Sequence, residues 1–515
     1  MLIQPKINEQ TFYTNLYESL KKDGRLLYAG RLLERGAQKF GDLPFIIFKD
    51  ETISYKQLYR RAGVFAKALQ QKGLKPRDRV LICFENSPDF YIAYYGVWQA
   101  GGVVVPMNTF LKEREIAHII QDAQPTFIVT SDDRVEIFKQ ACAEHSPLIL
   151  TPEDMPEPNV DFVPDEPIEL DENEMAALLY TSGTTGFPKG VMLSSKNIIT
   201  NIAQGISRIQ IGFEERLFGV LPLFHVFAQN VCVWAAPFIG ASVILVPKID
   251  RRYILSALKH EPTGFFGVPA LYGLMCLLKT APLDSVRFFV SGGDALPDKI
   301  RAYFSLLYRR KIANGYGLTE TSPVLAFDWD DTAQPTGTLG KPVYNLDIEI
   351  RDEKGTALPQ GAIGELWVKG DNIMLGYYNA PEETEKVLKD GWFNTGDMMY
   401  LSDDGKLVIT GRTKDLIIHK GINIYPQEIE NVIMTDSNVI RVGVIGKEDS
   451  THGEVPIAYV QLREQKEGME QTLLELCRQQ LAPYKVPRSF FCQVDDLPLT
   501  ATNKVDKKLL RKQNV

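Results

Sequence analysis

Residues 180–191, YTSGTTGFPKGV, constrain this chain more than any other stretch, because they crowd hydroxyls, glycines and one lysine behind an apolar, strand-like run at 176–179. Glycine lets successive backbone N–H groups turn toward a ligand with no Cβ in the way, and such a turn makes an anion-binding concavity. The hydroxyls of Thr181, Ser182, Thr184 and Thr185 add donors, and Lys189 adds positive charge. A strand feeding such a loop suits a folded phosphate grip better than a flexible linker. The spacing is not that of a P-loop nucleoside triphosphatase, G-x-x-x-x-G-K-[ST], since Gly190 follows the lysine where a magnesium-binding hydroxyl would stand. A metal ligand has to come from elsewhere.

At 515 residues the chain exceeds what one core usually supports, so two or more domains are expected. A net charge of −8 argues against non-specific nucleic-acid binding, which needs a basic face. The six cysteines show no C-x-x-C pair, so reduced thiols in a cytoplasm fit better than zinc or a disulfide framework. The N-terminus, MLIQPKINEQ, lacks the basic start and apolar core of a signal peptide. The uncharged run at 231–247 is broken by Pro237, Gly240 and Ser242 and reads as a buried helix to about Phe238 followed by a buried strand at 242–246.

Helix-period and strand-like segments alternate through the N-terminal part, as in a layered α/β domain. A helix is expected at 56–72 with Leu58, Ala62, Phe65, Ala66 and Leu69 on one face, then a strand at 79–84 and a helix at 88–100. Strands at 103–105 and 126–129 flank an amphipathic segment at 113–123. Proline and acid crowd 151–167, which reads as a solvated connector. From about Leu346 short alternating strands predict a β-rich subdomain, and after Gly411-Arg412 a separate small domain begins. The fold class is α/β: a large N-terminal domain of layered α/β subdomains plus a β-rich subdomain, 1–411, and a small mobile α+β C-terminal domain, 412–515.

Other segments carry chemistry. In NGYGLTE, 314–320, an aromatic between glycines can stack on a base, and the carboxylate of Glu320 suits Mg²⁺, a cation that prefers oxygen. A tight turn with a surface glutamate would look the same. Asp397 and Arg412, in WFNTGD and GRTKD, offer an acceptor pair and a planar fork of donors. A surface ion pair is the plain alternative. His225 stands among Phe224, Val226 and Phe227, where a core histidine is the default, and the tail around Lys504 reads by charge as a solvated basic face.

In this order and spacing the segments resemble the adenylate-forming superfamily, which holds acyl-CoA synthetases, peptide-synthetase adenylation domains and beetle luciferases. The resemblance runs from about Tyr55 to Leu510 through YTSGTTGFPKGV, NGYGLTE, GELWVKGDNIMLGYYN, WFNTGD, GRTKDLIIHKGINIYPQEIE and LPLTATNKVDKKLL. It is nearest in look to bacterial medium- and long-chain fatty-acid–CoA ligases. The resemblance implies an enzyme that makes acyl-AMP from a fatty acid and Mg·ATP, releases pyrophosphate, and passes the acyl group to coenzyme A. It further implies that Thr181, Ser182, Gly183, Thr184, Thr185, Gly186 and Lys189 hold the phosphates, and that Gly292 and Gly293 line the nucleotide and acyl sites. Tyr316 would stack on adenine and Asn314 meet its amino group, with Gly315 and Gly317 at the same cofactor site, and Thr319 would touch the α-phosphate. Glu320 and Thr184 would hold magnesium; Asp397 and Arg412 would take the ribose. Lys504, with Thr184, Glu320 and His225, would serve catalysis, offsetting the charge that builds on phosphorus. A hinge at Lys414 would then swing Lys504 away and bring Lys420-Gly421 toward a pantetheine tunnel.

The departures are informative. His225 stands where amino-acid-binding relatives carry an aspartate for the substrate ammonium, so amino acids are disfavoured. Ile418 replaces a basic residue that many relatives carry before Lys420. Gly317 stands where acetate-using relatives carry a pocket-closing tryptophan, so acids of about eight carbons or more are expected, with an apolar channel drawing on Phe224, Val226, Phe265 and Phe266. Other readings stay open: another carboxylate, a carrier-protein acceptor, or a catalytically silent acyl-adenylate-binding regulator. Monomer and homodimer, and peripheral membrane contact, are equally compatible with the sequence.

Overall fold

In a computed structural model of the chain, the described residues are 8–142, 146–159, 161–181, 188–209, 211–329, 337–412, 415–419, 422–449, 453–500 and 504–512. Local chemistry starts the elements where the sequence places them. The Ser54 hydroxyl accepts from the Gln57 N–H while the Gln57 side chain takes the Ser54 N–H, a capping box. The helix Tyr55–Gln71 that follows buries Leu58, Ala62, Phe65, Ala66 and Leu69, the face expected from the sequence. It packs on the helix Pro88–Gln99, which opens with a proline in its first turn and is buried on nearly every side.

Among the described residues, seven strands form one sheet in the order Gly376–Tyr377, Lys189–Ser194, Met175–Thr181, Val103–Pro106, Arg79–Cys83, Phe127–Thr130, Leu148–Leu150. From Met175–Thr181 onward the neighbours are parallel. A second sheet has a parallel core running Pro44–Phe48, Ser242–Leu245, Arg216–Gly219, Gly264–Gly267, Phe288–Ser291, Ile312–Gly317. Beyond Ile312–Gly317 it turns antiparallel, through Val324–Asp328, Thr338–Pro342, Leu407–Arg412, Trp392–Leu401, Gly364–Lys369 and Asp347–Arg351. The β-rich segment foreseen from Leu346 is therefore joined by hydrogen bonds to the parallel core. The link is the pairing of Thr338 with Val408, a long-range contact that no local pattern encodes.

The uncharged run folds as Gln229–Ala235 in a π-helix, Ala236–Ile239 in an α-helix and Ser242–Leu245 in a strand, all buried. Gly240 ends the helix at φ 83°, a left-handed turn that favours glycine. Among the described residues no helix is long and apolar enough to cross a membrane. The acidic connector is less free than its composition suggests. Arg60 donates to the carbonyls of Phe162 and Asn159, and a Cβ on Gly63 would lie 2.6 Å from Pro164, so the strand of chain is strapped to the Tyr55–Gln71 helix.

From Ile417 a small C-terminal domain builds a core of its own, with Ile417, Ile429, Ile433, Val444, Val460 and Leu473. Its sheet runs Ile422–Ile424, Ile417–His419, Gly453–Leu462, Val439–Asp449, with Phe490–Gln493 beside Gly453–Leu462. The whole is a mixed α/β protein with a large N-terminal and a small C-terminal domain.

Candidate active site

Thr181 and Lys189 face each other across an antiparallel pair, so the glycine-rich stretch bridges two neighbouring strands of the first sheet. This differs from a P-loop, where a strand leads through the loop into a helix. Ser182, Gly183, Thr184, Thr185 and Gly186 lie outside the described residues. Lys189 Nζ stands 2.7 Å from Glu383 Oε2 and 5.4 Å from the centre of the Tyr377 ring. The Lys189 and Lys386 ammoniums pull the Glu383 carboxyl down to about 2.

The second sheet contributes the C-terminal ends of its parallel strands, the usual place for a ligand crevice in such sheets. Ser291 leads into Gly292 and Gly293; a Cβ on Gly292 would lie 3.2 Å from Phe227, and Gly293 sits at φ 78°. In the next strand Asn314 Nδ2 donates to the Thr338 carbonyl at 2.9 Å. That carbonyl can only accept, so Asn314 Oδ1 is left as a buried acceptor with no partner among the described residues. A Cβ on Gly315 would meet Phe327 and the Ser291 carbonyl at ordinary contact distance.

Tyr316, Asp397 and Arg412 form one unit. Tyr316 Oη donates to Asp397 Oδ2 at 2.5 Å, and Arg412 Nε lies 2.9 Å from Asp397 Oδ1. Asp397 and Arg412 are cross-strand partners, which is why WFNTGD and GRTKD meet. Asp397 is 1% exposed, whereas 44% of the Arg412 side chain faces solvent, so the guanidinium keeps donors for a ligand. The Asp397 carboxylate raises the Arg412 pKa, and burial followed by Asp397 raises that of Tyr316.

Thr319 and Glu320 begin a short 3-10 turn directly after Gly317 and Leu318. Burial raises the Glu320 pKa, and the Tyr377 hydroxyl, donating to Oε1 at 2.8 Å, works against that rise. The turn is held from beneath by buried amides: Asn372 donates to the Thr321 carbonyl at 3.0 Å, Asn230 to Ser322 at 3.1 Å and Asn201 to Val324 at 2.8 Å. Gly317 is required by close approach, for a Cβ there would sit 1.9 Å from the Pro323 carbonyl oxygen. The open acyl pocket expected from this glycine cannot be plugged cleanly by a tryptophan, because any side chain displaces the backbone first.

Lys504 reaches this crevice from the small domain. Its backbone is tied to Thr500 at 2.7 and 3.2 Å, and its Nζ lies 3.6 Å from Asp294 Oδ1. His225, at the start of the short helix Val226–Ala228, has its pKa pushed down to about 4, by burial first and then by the Lys504 ammonium. It is therefore neutral near pH 7. Phe227 and Phe266 meet edge to face at 6.3 Å beside Gly292, an apolar wall. Phe265 faces the opposite side of the sheet, against Phe218, Tyr272 and Phe289, because successive strand residues alternate. It drops out of the channel expected from sequence. Lys414, Lys420 and Gly421 lie outside the described residues.

Residues 33–378 match the AMP-binding enzyme family, and 428–504 match the AMP-binding enzyme C-terminal domain. The chain belongs to the AMP-binding enzyme family. It is similar to a long-chain-fatty-acid–CoA ligase of Bacillus subtilis (strain 168), 34% identical with 93% of each chain covered. It is as similar to a feruloyl-CoA synthase of Streptomyces sp, 34% identical over 90% of this chain and 94% of the relative. Among solved structures, ATP-bound MatB from Rhodopseudomonas palustris superposes with a TM-score of 0.86 at 30% identity, covering 94% of this chain and 98% of that one.

Within this AMP-binding fold, Tyr377, Glu383, Asp294 and the amides Asn201, Asn230 and Asn372 contribute although no chemistry could be assigned to them from sequence. Tyr377 lay inside GELWVKGDNIMLGYYN, and the asparagines sat as polar interruptions in apolar segments. Their partners are far away in the chain.

Proposed function

We propose that this protein is an AMP-forming acyl-CoA synthetase that activates fatty acids. The observation that carries the reading is that Tyr316, Asp397, Arg412 and Glu320 lie together while Lys504 reaches Asp294, next to Gly292–Gly293, where the apolar ring pair Phe227 and Phe266 stands. Asn314 Oδ1, an acceptor without a partner among the described residues, suits the amino group of adenine, and the exposed donors of Arg412 suit ribose oxygens. Thr181 and Lys189 close the strand pair from which residues 182–186 would wrap the phosphates, and Thr319 lies next to Glu320 for the α-phosphate. Among the described residues no cluster of three metal-ligating side chains exists. Glu320, half-buried with the Arg412 guanidinium near it, would hold Mg²⁺ in the manner usual for that ion, one carboxylate shared with substrate phosphates and, in this chain, the Thr184 hydroxyl. When bound, the ion neutralises phosphate charge.

The chemistry needs no side-chain nucleophile. A substrate carboxylate oxygen attacks the α-phosphorus, and the bond to the pyrophosphate oxygen breaks. Lys504 offsets the repulsion between the two anions and the charge building on phosphorus. In the second step the thiol of coenzyme A loses its proton to solvent, attacks the acyl carbon, and AMP leaves. The small domain would turn about Lys414 between the steps, moving Lys504 out and Lys420-Gly421 in. The neutral His225 is suited to an uncharged hydrogen bond near the acid and not to a second cation.

A second reading, activation of an aromatic acid, draws on the feruloyl-CoA synthase likeness, which has the same 34% identity as the fatty-acid ligase over a slightly smaller share of this chain. The deciding experiment is pyrophosphate release from ATP with acetate, octanoate, longer fatty acids and ferulate, each with and without CoA. Turnover that rises with chain length and needs CoA for completion supports the fatty-acid reading. Preference for ferulate, or release that CoA does not couple to a thioester, refutes it.

A further inference from the structure

The helix Pro269–Leu278, PALYGLMCLL, carries no charged side chain, yet it lies at the surface: Leu271, Tyr272, Met275 and Cys276 are buried while Leu277 is 69% exposed. A helix apolar all round is ordinarily enclosed by protein or lipid. Its neighbour, Asp298–Tyr308, runs in the same direction. Tyr272 meets Phe304 edge on, and three residues later Met275 accepts from Tyr308 Oη at 2.7 Å, so the C-terminal ends lie side by side. On the second helix Leu306 is 75% exposed, and Tyr303, one turn before it, is 41% exposed. Both helices end in cations, Lys279 after the first and Arg309-Arg310-Lys311 after the second. Residues 269–311 carry seven Lys or Arg against three Asp or Glu, in a chain whose net charge is −8; one of the seven, Arg287, lies off the two helices and is ion-paired with Glu215. Lys299 and Arg310 donate to the carbonyls of Asp436 and Asp284, which leaves their charge in place.

We propose that this two-helix face docks the protein on an anionic lipid bilayer. Its purpose, collecting an acid that partitions into membranes, rests on the fatty-acid reading; its physics does not. Exposed leucines and a tyrosine enter the boundary between headgroups and acyl chains, and the cations at the helix ends meet anionic headgroups. A second copy of this chain fits the face less well, since a two-fold contact would bring the same positive surface against itself.

The test is co-sedimentation of the full chain with phosphatidylglycerol–phosphatidylcholine vesicles and with phosphatidylcholine alone. The wild type is expected to bind the anionic vesicles and to release them as salt rises. The pairs Leu277→Gln with Leu306→Gln, and Lys279→Glu with Arg309→Glu, are each expected to weaken binding by about tenfold or more. All four positions are on the outer surface, so pyrophosphate release with soluble octanoate should stay at the wild-type level. Equal binding to neutral vesicles, or undiminished binding by both pairs, overturns the proposal. A wild-type dimer that the same substitutions dissociate also overturns it. Loss of the fatty-acid reading would show separately, as no turnover of octanoate, and intact vesicle binding would then still support the docking face.

Discussion

Replacing Tyr377 by phenylalanine should move the acid limb of the first half-reaction, and the structure sets the size. The Tyr377 hydroxyl donates to Glu320 Oε1 at 2.8 Å, and burial already raises the Glu320 pKa. A hydrogen bond to a charged group contributes about 1.5–3 kcal/mol. Part of that is kept when the carboxyl is protonated, because its carbonyl oxygen still accepts, so about half separates the two forms. At about 1.4 kcal/mol per unit, Tyr377→Phe should raise the Glu320 pKa by about one unit. The retained ring keeps its contact with Lys189 at 5.4 Å, so the lysine proposed to meet phosphate stays in place. The assay is pyrophosphate release, as kcat/KM for ATP, from about pH 5 to about pH 8. The variant should lose activity at a pH about one unit higher than the wild type does, with a smaller effect at the alkaline end. An acid limb that stays in place, or moves to lower pH, would refute the assignment of Glu320 as the carboxylate that must be ionised.

Lys504→Ala is expected to slow adenylation by about 10²- to 10³-fold, the scale for one charge stabiliser, while thioester formation from supplied acyl-adenylate survives; equal loss in both half-reactions would sink the idea. Lys414→Pro should do the reverse, because proline fixes φ and removes an N–H at the proposed pivot, and the measurement is acyl-AMP accumulation against acyl-CoA yield. Gly317→Ala should lower both the melting temperature and adenylation, since its Cβ would meet the Pro323 carbonyl at 1.9 Å; a variant as stable as wild type would show that the turn can open. His225, with a folded pKa of about 4 against an ordinary 6.5, binds its proton more readily in the unfolded chain. Stability should therefore fall between about pH 6.5 and about pH 4, and His225→Asn should make that fall shallower in thermal melts.

Much of the architecture was legible because its signals are local. The capping box at Ser54, the proline of the helix Pro88–Gln99 and the glycine at 240 each act within a turn of the residues they govern. The helix Glu113–Ala123 and the strands on either side of it fall where the periodicity predicts. Candidate site residues could be proposed from sequence for another reason: glycine-rich, hydroxyl-rich and acidic motifs keep their chemistry whatever they pack against. The continuity of the parallel core with the antiparallel half was not legible, since it depends on Thr338 pairing with Val408 across the chain. Nor was the alternation that turns Phe266 toward Phe227 and Phe265 away from it, because the identity of each sheet face is set by what covers it.

The sequence alone determined which groups could grip phosphate, stack on a base and carry charge, because those capacities reside in single side chains and short loops. Tertiary structure decided their partners. It placed Tyr377 on Glu320 across 57 positions of chain, Tyr316 on Asp397 across 81 and Lys504 beside Asp294. It also decided that the wholly apolar helix Pro269–Leu278 stays at the surface. The physical reason is the same in each case: a hydrogen bond, an ion pair or the covering of an apolar face is a property of two segments, and only the folded sheet order brings the second segment to the first.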